Sequence, residues 1–251
     1  MLLAIDVGNT QILIGLLRGA ELVDQWRLAT NAERTSDEYS VLIGQLIGDA
    51  PVEGVAISSV VPRATAALRD MATRYFGFPP VVVEPGVRTG MPILTDDPKE
   101  VGADRIVNAI GAYDRYGGPT IVVDFGTATT LDAVSARGEY LGGSILPGIE
   151  ISMEALFDRA DRLYRVELVE PRSVIGKSTV ESLQSGAIYG FSAQVDGICR
   201  RMEDELGECT VVATGGLSGL IARFSASIQE LDPWLTLHGL RLVFERNSGQ
   251  K

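Results

Sequence analysis

Several residue types are scarce in this sequence, and each scarcity excludes something. His238 is the only histidine, so a Ser/His/Asp triad could be built only around it. It lies in the run Leu235-Thr-Leu-His-Gly-Leu240, away from any nucleophile motif, and a structural role is expected for it. Cysteine is limited to Cys199 and Cys209, whose surroundings have no metal-ligand spacing. They fit a reduced, cytoplasmic protein. No run of Lys and Arg follows a phosphate backbone, and 22 basic against 33 acidic residues leave a formal charge of −11, so no nucleic-acid partner is expected. No uncharged apolar stretch approaches the roughly 18 to 20 residues that span a bilayer. Met1 to Asp6 has no basic n-region and meets a charge early, which reads as a buried strand and not a secretion signal. No membrane association is expected.

What is present is a chain of 251 residues, above the usual single-domain size, which fits one large unit or two similar halves sharing a cleft. Leu2 to Ile5, Gln11 to Leu17 and Leu22 to Leu28 read as a β-meander. Ser36 to Ile47 has helical periodicity, with Ser36 as its N-cap. Val52 to Val61 reads as a strand, Arg63 to Phe76 as a helix and Pro80 to Val83 as a strand. After a Gly-, Pro- and Asp-rich loop the pattern restarts. Gly102 to Tyr116 reads as a helix, followed by strands at Thr120 to Asp124, Thr130 to Ser135 and Tyr140 to Ile145. Glu150 to Asp161 and Ser178 to Glu205 read as helices, Thr210 to Thr214 as a strand, and Ser218 to Arg223 as a helix start. The boundary is expected before Gly102, giving halves 1–100 and 101–251, with the C-terminal helix free to pack back on the first half.

One motif occurs twice. A strand ending in Asp, a Gly-containing turn and a returning strand appear at Ala4-Ile-Asp-Val-Gly-Asn-Thr10 and at Val122-Val-Asp-Phe-Gly-Thr-Ala128, which points to duplicated halves. An Asp at a strand end can hold Mg²⁺ or its water shell while turn amides and a hydroxyl meet phosphate oxygens. Asp6, Gly8, Asn9 and Thr10 supply those parts once, and Asp124, Gly126, Thr127 and Thr129 supply them again. Either turn alone is also an ordinary hairpin. A third turn, Ala213-Thr-Gly-Gly216, lies between a strand and a helix, where close backbone approach would let an adenosine lie against it. By itself it reads equally as a strand-to-helix turn needing positive φ.

These three elements, in this order, resemble the phosphate-1, phosphate-2 and adenosine motifs of the acetate and sugar kinase, Hsp70 and actin superfamily. Asp6-Val-Gly-Asn-Thr10, Pro98-Lys-Glu-Val-Gly-Ala-Asp-Arg105, Asp124-Phe-Gly-Thr-Ala-Thr-Thr130, Gly142-Gly-Ser-Ile-Leu-Pro-Gly148 and Gly176-Lys-Ser-Thr179 together resemble type III pantothenate kinase over nearly the whole chain. The fold this resemblance implies is α/β: two similar ribonuclease H-like (actin-like ATPase) halves, each a mixed sheet flanked by helices, with a cleft between them.

The resemblance also implies an activity, the ATP-dependent phosphorylation of pantothenate to 4′-phosphopantothenate, the first step of coenzyme A biosynthesis. It assigns ATP to Asp6, Val7, Gly8, Asn9, Thr10 and Gln11, to Gly126 and Thr127, and to Gly215 and Gly216. Pantothenate falls to Gly102, Ala103, Asp104, Arg105 and Thr179, with Asp104 as the general base. Mg²⁺ comes with ATP near Asp6, a monovalent cation, K⁺ or NH₄⁺, is assigned to Asp124, and a homodimer is implied, for which apolar residues exposed near Ile188 to Ile198 would be reasonable contacts. The residue types agree with these roles, since a carboxylate can orient and deprotonate an alcohol and a guanidinium suits a carboxylate or a phosphate. Each also has a plainer reading: Asp104 stabilising a helix dipole, Arg105 solvated, Thr179 capping a helix. One position departs from the family, which often carries a tyrosine where this chain has Thr95. Two alternatives stay open at this stage, a related kinase of sugars or other alcohols and a non-catalytic nucleotide-binding regulatory protein.

Overall fold

A computed structural model of the chain describes residues 1–160 and 162–249. Asp161, the expected last residue of the helix from Glu150, lies outside the described residues. The chain divides into two compact units, Met1–Asp114 with the segment from Trp234 onward, and Arg115–Pro233.

In the first unit, β1 (Leu2–Val7), β2 (Gln11–Arg18) and β3 (Glu21–Ala29) form the antiparallel meander. After α1 (Ser36–Ile47), β4 (Gly54–Ser59) pairs parallel with β1. Then α2 (Pro62–Met71), prolonged by a π-helical turn at Ala72–Phe76, leads to β5 (Val81–Val82), parallel to β4. The sheet order is β3-β2-β1-β4-β5. Strand alternation sends Leu3, Ile5 and Val7 to one face, where they bury with Ile12, Ile14, Tyr39, Ile43, Leu68 and Met71. Each such side chain contributes roughly 1.5–3 kcal/mol. Ala4 and Asp6 therefore look to the opposite face. The cap of α1 is Thr35 and not Ser36: Thr35 Oγ1 accepts from Glu38 N while Glu38 accepts from Thr35 N, a capping box.

The second unit repeats the plan. Following α3 (Ala103–Tyr116), β6 (Thr120–Phe125), β7 (Ala128–Val134) and β8 (Tyr140–Pro147) form the antiparallel meander. Next come α4 (Ile149–Arg159) and α5 (Thr179–Leu206), the latter a single long helix. β9 (Thr210–Thr214) pairs parallel with β6, and after α6 (Ser218–Ile221) the short β10 (Glu230–Leu231) pairs parallel with β9. The order β10-β9-β6-β7-β8 is the first sheet's order read from its other end. Three antiparallel strands followed by two parallel ones, helices on the flanks, make both units ribonuclease H-like. The core holds Ile121, Val123, Phe125, Leu131, Ile149, Ile188, Val195 and Cys199. Of the α5 stretch expected at an interface, Ile188 at 0 % and Val195 at 1 % exposure are spent inside this unit, while Tyr189, Phe191 and Ile198 are only partly buried.

Chain order and unit membership differ at two places. α7 (Leu235–Ser248) packs on β1, β4 and β2 of the first unit, and Gly15 leaves room for Leu237, whose Cδ1 would lie 2.6 Å from a Cβ there. The unit boundary falls at Asp114, inside α3 and not in the loop before Gly102. The reason is packing: Val107 and Gly111 of α3 lie against Gly239 and Leu235 of α7, which binds most of α3 to the first unit. His238 takes part in that packing, its Nε2 2.8 Å from Asp114 Oδ2. Among the described residues no helix is long and apolar enough to cross a membrane.

Candidate active site

In the first unit the turn after β1 is built by backbone hydrogen bonds. Gly8 N donates to Gln11 O at 3.0 Å, Thr30 N to Thr10 O at 3.0 Å, and Thr30 Oγ1 to Gly8 O at 2.7 Å. Asn9, Thr10 and Gln11 stay exposed at its tip, while Asp6 is half-buried and Val7 joins the core. Asp6 pairs with Ser58 of β4, a fully buried serine whose Oγ has no hydrogen-bond partner among the described residues. Sequence reasoning missed Ser58, since serine inside Val55-Ala-Ile-Ser58 reads only as strand.

The Gly102 to Arg105 segment arrives at the same end of this sheet. Val60 N donates to Val7 O at 3.1 Å, just past the Asp6 pairing, and a Cβ on Gly102 would touch Val60 Cγ1 at 3.8 Å. Asp104 is thus set on the first turn of α3, near the strand ends that carry Asp6 and Ser58. The same Cβ would stand 2.5 Å from Asp104 Oδ1, so Gly102 leaves space for this carboxylate, which accepts from Arg105 N at 2.9 Å. Ala103 is buried behind it, and Asp104 and Arg105 are half-buried. Thr95, on the preceding loop, holds its Oγ1 buried without a hydrogen-bond partner among the described residues.

In the second unit three turns meet at one end of the sheet. Gly126 N donates to Ala128 O at 3.1 Å, leaving Gly126 and Thr127 exposed. Gly148, which closes the Gly142 to Gly148 run, donates to Thr127 O at 3.2 Å, and a Cβ there would fall 2.1 Å from that oxygen. Gly215, at φ +91°, lies against Asp124 and Phe125. Its carbonyl accepts from Ser218 Oγ at 2.7 Å, which starts α6, and Gly216 is exposed. Beside this turn, Leu217 and Leu220 line a cavity of about 340 Å³ with Glu150, Met153 and Phe157 of α4.

Two expected members stand elsewhere. Thr129 pairs with Phe125 and so points to the core face, away from Asp124; it is 2 % exposed and its Oγ1 has no partner among the described residues. The residue opposite Asp124 is Thr130, because side chains alternate with a period of two. Thr179 is exposed at the first position of α5, and the capping hydroxyl is that of Ser178, accepting from Glu181 N at 3.2 Å. A buried acid went unnoticed in the sequence. Asp132, at 0 % exposure, accepts from Tyr140 OH at 2.6 Å and from Thr130 Oγ1 at 3.1 Å. A charge in the middle of Thr130-Leu-Asp-Ala-Val134 was the available signal. Among the described residues no three His, Cys, Asp or Glu side chains gather as a metal cluster.

The fold and the family both have relatives. The ROK family glucokinase of Streptomyces griseus, solved with glucose and AMPPNP, superposes with a TM-score of 0.51 at 15% identity, covering 95% of this chain and 97% of its own. A structure named as a Baf family transcriptional activator from Campylobacter jejuni superposes with a TM-score of 0.61 at 21% identity, over 99% of this chain and all of that one. Both likenesses show the fold alone. In sequence, the type III pantothenate kinase of Streptomyces griseus is 56% identical over 98% of both chains, and the model of that family matches residues 2–201. This chain belongs to the type III pantothenate kinase family.

Proposed function

We propose that the chain transfers the γ-phosphoryl group of ATP to the primary hydroxyl of pantothenate, giving 4′-phosphopantothenate, the first step of coenzyme A biosynthesis. The observation that supports this most is the placing of Asp104, on the first turn of α3 beside the strand ends that carry Asp6 and Ser58, in a chain of this family. The hydroxyl oxygen attacks the γ-phosphorus in line with the bridging oxygen, that P–O bond breaks to release ADP, and the hydroxyl proton passes to the Asp104 carboxylate. A carboxylate is a modest base, so its larger contribution is holding the alcohol in line.

The other roles divide by unit. In the first, the amides and side chains of Val7, Gly8, Asn9, Thr10 and Gln11 meet phosphate oxygens, and Asp6 faces the Mg²⁺ that ATP brings. Gly102, Ala103 and Arg105 hold pantothenate, the guanidinium suiting its carboxylate. In the second, Gly126 and Thr127 meet phosphates, and adenosine lies along Gly215 and Gly216. The neighbouring 340 Å³ cavity is in the size range of small-molecule sites. A monovalent cation, K⁺ or NH₄⁺, sits at Asp124, where it offsets phosphate charge when bound. The Asp124 carboxylate that would hold it lies against Gly215, where any Cβ would collide with its oxygen. The active form is a homodimer.

Purified protein with Mg²⁺-ATP, K⁺ and pantothenate should release ADP only when pantothenate is present. Inert protein overturns the reading. ADP release with sugars but not pantothenate identifies a sugar kinase instead, and ATP binding without turnover on any acceptor identifies a regulatory protein. Light scattering at the mass of a monomer would overturn the homodimer.

A further inference from the structure

We propose that Arg246 and Asn247, in the last turn of α7, are positioning residues: they clamp the loop that leads to Asp104 and so hold the pantothenate side of the site in its binding form. This rests on the reading of Asp104 and pantothenate given above and deepens it.

A long connection, Val83 to Gly102, joins β5 to α3, with the 3₁₀ turn Pro98–Glu100 as its helical part. Connections beyond about 12–15 residues are uncommon in compact units and most often serve a site. α7 fixes the course of this one. Asn247 Oδ1 accepts from Arg88 N at 3.2 Å, while Asn247 Nδ2 donates to Arg88 O at 2.9 Å and to Val243 O at 2.7 Å. The side-chain amide meets both backbone groups of Arg88 as a neighbouring strand would, and its other hydrogen returns to the α7 backbone. Both of its donors and its acceptor are thus engaged. Beside it, Arg246 Nη1 donates to Thr89 O, and the guanidinium lies over Gly90, where a Cβ would stand 2.8 Å from Cζ. Gly90 also holds φ at +73°, a conformation that suits glycine. Thr89 Oγ1 then accepts from Met91 N at 3.3 Å, and Met91 is buried.

The far end of the span is fastened to the same helix. Gly239 of α7 packs on the Val107 carbonyl, and Thr236 Oγ1 donates to Asn108 Oδ1 at 2.7 Å. Asp104 stands one turn before Val107 on α3. From Gly239 to Asn247 an α-helix rises by about 12 Å, so α7 is a rigid splint across the stretch from Met91 to Asp104. Within that stretch Thr95 Oγ1 is buried without a hydrogen-bond partner among the described residues, a position that a ligand or water completes. Releasing Arg88 to Gly90 would give the stretch more conformations, and apparent affinity falls in proportion to the fraction that can bind. The turn of Gly8 to Gln11 is built by its own hydrogen bonds, to Thr30 and within itself. The loss therefore falls on pantothenate and not on ATP.

The test uses the full chain with Asn247→Ala, Arg246→Ala and Arg246→Lys, and Ser248→Ala as the control on the same helical turn. Arg88 is exposed while its backbone is held, so trypsin reports on the clamp. Cleavage at the Arg88–Thr89 bond, located by mass spectrometry, should be about tenfold faster or more in Asn247→Ala, with the cut at the exposed Arg172 of the second unit unchanged. Equal acceleration at both bonds would show general unfolding and overturn the proposal. In ADP release, both alanine variants should raise KM for pantothenate by about fivefold or more and leave KM for Mg²⁺-ATP unmoved. Arg246→Lys, which keeps a donor for Thr89 O, and Ser248→Ala should stay near the wild-type values. If Asn247→Ala does not fold, Arg246→Ala carries both measurements. By linkage, pantothenate should slow the Arg88 cut in the alanine variants. A lowered kcat with neither KM moved would assign these residues to folding alone and overturn the inference, as would pantothenate without effect on the cut. A wild type that releases no ADP with pantothenate overturns the proposed function and this inference with it; a wild type that does, with alanine variants at its pantothenate KM, overturns this inference alone.

Discussion

A Cβ on Gly215 would lie 2.4 Å from Asp124 Oδ1 and 2.7 Å from the Phe125 backbone, and the residue holds φ at +91°. The glycine after β9 therefore sets the space around the acid that ends β6. Gly215→Ala should destabilise the protein by about 1–3 kcal/mol through backbone strain alone and should displace the Asp124 carboxylate, weakening the K⁺ response. Gly216→Ala is the control, since a Cβ there meets nothing within 4 Å. Equal urea midpoints for the two variants would contradict this account.

Asp104→Asn should lower kcat by about 10²–10⁴-fold, the usual contribution of a general base. Stability should hold, because the Asn side-chain oxygen can still accept from Arg105 N as Asp104 Oδ1 does at 2.9 Å. Substrate-dependent ADP release and thermal melting, measured on the same preparation, separate the two effects. A variant that turns over at the wild-type rate removes Asp104 from the mechanism.

The two thiols should be inert in the folded protein. Burial pushes the Cys199 thiol up to about 12 and the Cys209 thiol up to about 11, with neighbouring acids adding to the shift, and only the thiolate is a strong nucleophile. Iodoacetamide at about pH 8 should label neither until urea unfolds the chain, when thiols near their ordinary value of about 8.5 react. Because both folded values are raised, their contribution to stability is complete below about pH 8.5 and falls as pH rises toward them. Rapid labelling of folded protein would show that these side chains reach solvent.

Asp196 should tie stability to acid pH. Burial raises its carboxyl, but hydrogen bonds from Ser225 Oγ, Ala226 N and Ser227 N outweigh that and hold it below the usual carboxylate range. A depressed folded value means that the contribution is present above about pH 3.9 and is lost as pH falls through the folded value. The gap in urea midpoint between wild type and Asp196→Ala should therefore be widest near neutrality and close in strong acid. A gap independent of pH would assign it to packing.

Gly239 on α7 packs on the carbonyl of Val107, where a Cβ would come within 1.9 Å of the oxygen. Gly239→Ala should cost about 3 kcal/mol or more, because two helix backbones would have to separate. Gly186→Ala, in the middle of α5 with nothing within 4 Å, should instead stabilise by up to about 1 kcal/mol through helix propensity. Thermal melts that rank these two the other way would refute the packing of α7 on α3.

The sequence by itself determined the strands, the repeat and the family. Alternating apolar residues marked both meanders, and Asp6-Val-Gly and Asp124-Phe-Gly marked matching turns, because strand period and turn chemistry are local properties of neighbouring residues. Only the tertiary structure decided what depends on partners far along the chain. The return of α7 to the first unit, which pulls most of α3 with it, is set by the Gly239 contact with Val107. The burial of Ile188 and Val195 in a core is set by the sheet they cover. The register of β6 against β7 puts Thr130 beside Asp124 and turns Thr129 inward; a shift of one residue would reverse them, and no local pattern in the sequence distinguishes two adjacent threonines.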